Sequence, residues 1–226
     1  MTRPVVTFDV GQTLVDLDLD FLASRLAERG VDVAAQALVD AAPAAWHYYD
    51  ELTEAGVGHP WRELMSKLLV GAGIAEPGAL VDWLYTQQAT RNLWRRPIAP
   101  MLDLVRELRG KGVAIAALSN SEGHLRDLLE EIELAPLFDA IVDSGRVGIA
   151  KPDPRLFAYT LELLRVAPSV VVHIGDSWSA DVEGALAAGW HAIWYRSRAG
   201  VQTRDARVPI AHDADETRAA LTTFGI

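Results

Sequence analysis

From Val113 onward the sequence alternates short apolar runs with stretches of helical periodicity. Val113–Leu118, Ala140–Val142, Val170–Ile174 and His191–Tyr195 have the length and the β-branched or aromatic content of strands. Val113–Leu118 is apolar at every position, as expected of a strand covered on both faces. Strands that alternate with helices imply a parallel, doubly wound α/β sheet. A fifth run, Val5–Phe8, opens the chain and delivers Asp9 into the turn Val10-Gly11-Gln12-Thr13. Gly11 is able to take backbone angles that residues with a Cβ avoid. Asp9 is thus expected at the carboxyl end of a buried strand, where open α/β sheets bind ligands.

Between the first strand and the rest lies a block without strand alternation. Val15–Asp20 is short and acidic, a hinge into the block. Helices are expected over Phe21–Arg29, over Val33–Leu52 with Pro43 either starting a second helix or kinking a long one, over Trp61–Val70 and over Pro77–Trp94. The boundaries that follow are a core of residues 1–16 and 96–226 with a helical insert, residues 17–95. Trp46, Trp61, Trp83 and Trp94 all fall in the insert, and aromatic residues at helical spacing pack into a core far more often than they line a substrate site. Beyond it, helices are expected over Met101–Arg109, Glu122–Glu133, Pro154–Val166, Ala180–Ala188 and Asp213–Thr223. Val208–Ala211 reads as a last edge strand and Arg196–Arg207 as a loop.

With 226 residues, half of them hydrophobic, the chain is long enough for one domain carrying an insert. It has no cysteine, which excludes disulfides and thiolate metal sites. A net charge of −10 argues against binding a nucleic-acid backbone. Neither a leader-like N-terminus nor an apolar run of membrane-spanning length is visible, so a cytoplasmic protein is the expectation. Only three lysines occur, Lys67, Lys111 and Lys151, so a lysine within a motif is the more informative.

Four strand ends gather polar groups: Asp9 with Gly11 and Thr13, Ser119 with Asn120, Lys151 within Lys-Pro-Asp-Pro, and Gly175-Asp176-Ser177 with Asp181 five residues beyond Asp176. This set, in this order, resembles the haloacid dehalogenase-like (HAD) superfamily of hydrolases, and within it the branch with a helical cap inserted after the first motif. The resemblance implies a Rossmann-like core with a helical-bundle cap as a lid, and a magnesium-dependent phosphatase that acts on a small phosphorylated metabolite. Asp9 corresponds to the nucleophile, a carboxylate that attacks phosphorus to form an aspartyl-phosphate. Asp9, the Gly11 carbonyl and Asp176 correspond to Mg2+ ligands, in keeping with the preference of that ion for oxygen donors. Ser119 and Asn120, ahead of a helix, are placed either to hold phosphate oxygens or simply to cap that helix. Lys151 is placed to neutralise phosphoryl charge, the alternative being a surface lysine. Asp181 orients a metal-bound water or Lys151, or caps a helix. Thr13 supports the first turn.

One position departs from the pattern. The phosphatases of the superfamily read D-x-D-x-T at the first motif, and here the second acid is Gly11. That acid serves as general acid and base, a contribution of about 10²–10⁴-fold. Its absence leaves three readings: a phosphatase that draws a proton from elsewhere (Asp16, Asp18 and Asp20 are near in sequence) or uses a substrate with a good leaving group; a dehalogenase or phosphonatase, the latter needing a cap lysine, for which only Lys67 is available; or a degenerate protein that binds a phosphorylated ligand. His173, inside an apolar run, reads as a satisfied core residue, while His47 and His59 lie in the helical block.

Overall fold

The computed structural model describes residues 3–55, 57, 60–195 and 204–226. The loop expected over Arg196–Arg207 falls largely, and His59 wholly, outside the described residues. The chain divides into two compact units, Met1–Leu17 with Trp94–Ile226, and Asp18–Leu93.

The first unit is an α/β sheet. Strand β1 (Val5–Phe8) is buried throughout and leads to β2 (Val15–Leu17), after which the chain enters the second unit. The second unit holds α1 (Leu19–Ala27), α2 (Ala35–Glu54), α3 (Trp61–Gly71) and α4 (Gly78–Gln87). The chain returns through β3 (Trp94–Pro97), α5 (Ala99–Gly110), β4 (Ala114–Ser119), α6 (Leu125–Glu131) and β5 (Ala140–Asp143). It continues through α7 (Ser144–Val147), α8 (Pro154–Leu164), β6 (Val171–Gly175), a π-helical turn over Trp178–Glu183 and α9 (Gly184–Ala187). Strands β7 (His191–Tyr195) and β8 (Ile210–Ala211) and helix α10 (Ala214–Thr222) complete it.

Six strands pair in the order β5-β4-β1-β6-β7-β8, every pairing parallel. From β1 the chain builds outward through β4 and β5, then crosses to the other side for β6, β7 and β8. The order therefore reverses between β1 and β6, and the crevice at their carboxyl ends is where such sheets bind ligands. The register sets Thr7 beside His173 and Phe8 beside Ile174, so Asp9 and Gly175 follow at neighbouring strand ends. Behind the sheet, Phe157 is wholly buried and meets Trp190 edge-on at 5.1 Å between ring centroids.

Several local expectations are corrected. The block of residues 17–95 is not helical to its ends, because β2 and β3 pair antiparallel in a two-stranded ribbon that includes Leu17 and Trp94. Within the segment Val15–Asp20, Val15–Leu17 is strand, and the last helix of the block stops at Gln87. Of the two expectations for Pro43 it does not start a second helix; it lies inside one long helix, α2, at the cost of one backbone donor. The helix after β4 begins at Leu125 rather than Glu122. In the helical unit, Trp61 is buried and Trp46 and Trp83 are half-buried, Trp83 beneath the Arg25 guanidinium at 4.5 Å.

Phe157 has no room to be shortened without leaving a void. Phe157→Ala is expected to lower stability by about 3–5 kcal/mol, read as a fall in the denaturation midpoint with an unchanged slope.

Candidate active site

The site grows from strand ends of the first unit. Strands alternate their side chains, so Thr7 and Asp9 share one face of the sheet. The Asp9 backbone N–H donates to the Ile174 carbonyl at 2.8 Å, continuing the ladder with β6 one residue past β1. The next turn differs from expectation in one respect: the left-handed residue is Gln12, with φ 58°, and not Gly11. A Cβ at Gly11 would lie 3.4 Å from Trp94 Cδ1, an ordinary contact. Neither backbone angle nor space thus demands glycine there.

Lys151 is buried, and its ammonium donates three hydrogen bonds: to Asp9 Oδ1 at 2.8 Å, to Asp181 Oδ1 at 2.5 Å and to the Leu118 carbonyl at 2.7 Å. It is not a surface lysine. Its backbone is clamped by Asn120, whose Oδ1 accepts from Lys151 N–H at 2.8 Å and whose Nδ2 donates to the Lys151 carbonyl at 3.0 Å. Asn120 thereby turns its amide toward the lysine loop, and with α6 starting five residues later it caps no helix. Ser119 ends β4, and its hydroxyl favours the charged form of the Asp9 carboxyl.

Asp181 is buried and fully engaged. Its Oδ1 meets Lys151 and His173 Nε2, the latter at 3.0 Å, and its Oδ2 accepts from the Ser177 N–H at 2.9 Å. The cap of the helical turn comes instead from Ser177, whose hydroxyl accepts from Ala180 N–H. Gly175 makes this approach possible, since an added Cβ would overlap Asp181 Cγ. Asp176 is half-buried, and its carbonyl accepts from Trp194 Nε1 at 2.8 Å. Carboxylate oxygens of Asp9, Asp176 and Asp181 lie within 4.8 Å of one another. Three clustered carboxylates, two of them paired with one ammonium, leave a surplus of negative charge, and all the donors are hard oxygens, the set that suits magnesium.

Burial sets the electrostatics. It raises the Asp9 carboxyl above the usual carboxylate range; the Lys151 charge opposes this and the Asp181 charge adds to it. For Lys151, burial alone would favour the neutral amine, but the charges of Asp181 and Asp9 outweigh it and hold the ammonium protonated beyond the ordinary lysine value. Burial likewise works against the Asp181 carboxylate, yet the Lys151 charge and the His173 hydrogen bond hold its pKa well below the ordinary range.

Other residues named from sequence fall elsewhere. Thr13 Oγ1 is buried and has no hydrogen-bond partner among the described residues. Asp18 caps α1 by accepting from Phe21 N–H at 2.8 Å. His47 is exposed and faces Glu51, and Lys67 lies over the Tyr48 ring at 5.6 Å. One residue was missed, and His173 is the satisfied core residue expected, with partners that sequence did not name. Asp143, at the end of β5, accepts from the Ser121 hydroxyl and from the backbone of Gly123, Leu125 and Gly145, fixing the loop after Ser119. His173 joins Asp181 to the Thr7 hydroxyl. The available signal was a lone imidazole two residues before a glycine, which places it on the face that Gly175 leaves open.

A family profile described as haloacid dehalogenase-like hydrolase matches residues 4–189. The chain belongs to the haloacid dehalogenase-like hydrolases. The haloacid dehalogenase-like hydrolase domain-containing protein 3 of Bos taurus is 31% identical over 203 residues, 84% of this chain and 80% of that protein. Phosphatases are among its relatives: phosphoserine phosphatase of Thermus thermophilus is 41% identical over 102 residues, 44% of this chain and 41% of its own length. The HAD hydrolase YfnB of Bacillus subtilis, solved with bound magnesium, superposes with a TM-score of 0.72 at 20% identity over 98% of this chain and 99% of that one. At that identity the likeness is one of fold.

Because Asp181 titrates lower folded than unfolded, its contribution to stability is present above its ordinary value of 3.8 and is lost as pH falls through that value and below. Thermal melts from about pH 6 down to about pH 3 should fall more steeply for the wild type than for Asp181→Asn.

Proposed function

We propose that this hydrolase is a magnesium-dependent phosphatase that acts on a small phosphorylated metabolite through an aspartyl-phosphate on Asp9. The observation that carries the reading is the meeting of the Asp9, Asp176 and Asp181 carboxylates, two of them bonded to the buried ammonium of Lys151. A dianionic phosphate ester would be repelled by such a cluster alone. A magnesium ion held by Asp9, the Gly11 carbonyl and Asp176 would offset that charge and polarise the phosphoryl oxygens.

The remaining work falls to the chain. Asp9 attacks phosphorus with one carboxylate oxygen, a P–O bond to Asp9 forms, and the bond to the leaving oxygen breaks. Lys151 neutralises charge on the phosphoryl oxygens, and Ser119 donates its hydroxyl to one of them. Asn120 serves by fixing the Lys151 loop. Asp181, with both oxygens engaged, holds Lys151 rather than a metal. Water then attacks the phosphoryl group, releasing phosphate and restoring the Asp9 carboxylate.

Gly11 supplies no proton to the leaving oxygen. Asp18, one of the nearby acids, is occupied as a helix cap. This favours substrates whose leaving group needs little protonation, such as aryl or acyl phosphates.

Phosphate release from a panel of phosphoesters in the presence of magnesium tests the reading, with Asp9→Asn expected to abolish it. Turnover of no ester, together with metal-free halide release from a 2-haloacid, would overturn it. The leaving-group argument is tested by Gly11→Asp, whose Cβ fits against Trp94. Its activity should rise on alkyl phosphates, by up to about 10²-fold, and change little on aryl phosphates.

A further inference from the structure

We propose that His173 is a positioning residue for the chemistry at Asp9, holding Asp181 where Asp181 in turn locks the Lys151 ammonium against the Asp9 carboxylate. The proposal rests on the reading of Asp9 as the phosphoryl acceptor and extends it to a residue that touches neither substrate nor Asp9.

The side chains form one unbroken polar chain beneath the site. Thr7 Oγ1 lies 2.8 Å from His173 Nδ1, and His173 Nε2 lies 3.0 Å from Asp181 Oδ1. The same Oδ1 accepts from Lys151 Nζ at 2.5 Å, and Lys151 Nζ donates to Asp9 Oδ1 at 2.8 Å. Burial runs from complete at Thr7 and His173 to 8% exposure at Asp9. An imidazole among Val171, Val172 and Ile174 is tolerated only with both ring nitrogens bonded, and both are. A valine or isoleucine would serve the strand better if packing were the only requirement.

The chemistry of the ring sets the direction of the chain. Toward a carboxylate, His173 Nε2 must donate, and the Thr7 hydroxyl, able to donate or accept, partners Nδ1. Asp181 thus sets Nε2 as the donor, Thr7 completes the bonding of the ring at Nδ1, and the register of β1 with β6 fixes Thr7 beside His173. Phe157 and Trp190 meet the ring nearly edge-on, with interplanar angles of 89° and 74°, and keep its plane. Asp181 is then pinned through both oxygens, and all three Lys151 donors are spent on fixed acceptors. Removing His173 frees Asp181 Oδ1 on one side and lets the ammonium shift from Asp9.

The test uses the full-length protein and variants His173→Leu, His173→Gln and Thr7→Val. Binding of beryllium fluoride with magnesium, a mimic of the phosphorylated aspartate, is read from the rise in melting temperature against fluoride concentration. Turnover of an aryl phosphate gives kcat and KM separately. His173→Leu is expected to weaken binding of the mimic by about 10–100-fold and to lower kcat far more than it alters KM. His173→Gln, whose amide both donates and accepts, should recover most of both. Wild-type affinity for the mimic in folded His173→Leu overturns the inference and leaves the phosphatase reading standing. A wild-type protein that gains no stability from the mimic overturns both. Should His173→Leu fail to fold, Thr7→Val decides: weakened binding of the mimic supports the inference, and unchanged binding overturns it.

Discussion

The first unit depends on one buried ammonium. Lys151 Nζ is withdrawn from water and answered by two carboxylates and a carbonyl, each from a different part of the chain. Desolvating such a charge costs several kcal/mol, and only close, complete partnering offsets it. The partners are correspondingly fixed: Asp9 by the strand ladder, Leu118 within β4, Asp181 by Ser177 and His173. Losing one partner would leave a charge uncompensated in the interior, a penalty of about 3–5 kcal/mol. The arrangement that concentrates acids at one crevice is therefore also the one that the fold must preserve.

The sheet order explains why these groups meet at all. Because the chain builds outward from β1 to β5 and then returns to the other side of β1, the carboxyl ends of β1, β4 and β6 border one crevice. Asp9, Ser119 and Asp176 are separated by more than a hundred and fifty residues of chain from first to last, yet each lies at or just past a strand end. Glycine contributes by absence: Gly175 has no side chain where Asp181 approaches. The missing acid at Gly11 has no such structural reason, since a Cβ fits there.

Elements that sequence reasoning misplaced share one physical feature, namely partners distant along the chain. The ribbon of β2 and β3 carries two arginines and a proline in one of its strands, and it exists because Val15 and Leu17 pair with residues some eighty positions away. Helix α6 starts late because the Asp143 carboxylate, from the neighbouring strand, gathers the backbone N–H groups of the preceding loop. At Pro43 the sequence left open a new helix or one long one, and α2 is the long one, with the packing of its other residues outweighing one lost backbone bond.

By itself the sequence determined the strands of the core, their parallel arrangement and the acids and lysine at their ends, because buried strands must be apolar and polar residues at their tips stand out. It also determined the family, through four motifs in order. Only the tertiary structure decided which acid holds the lysine, that Asn120 clamps a backbone, and which partners satisfy the buried His173 ring. Those assignments turn on hydrogen-bond partners, and a partner is a matter of distances in space to which the spacing of residues along a chain gives no access.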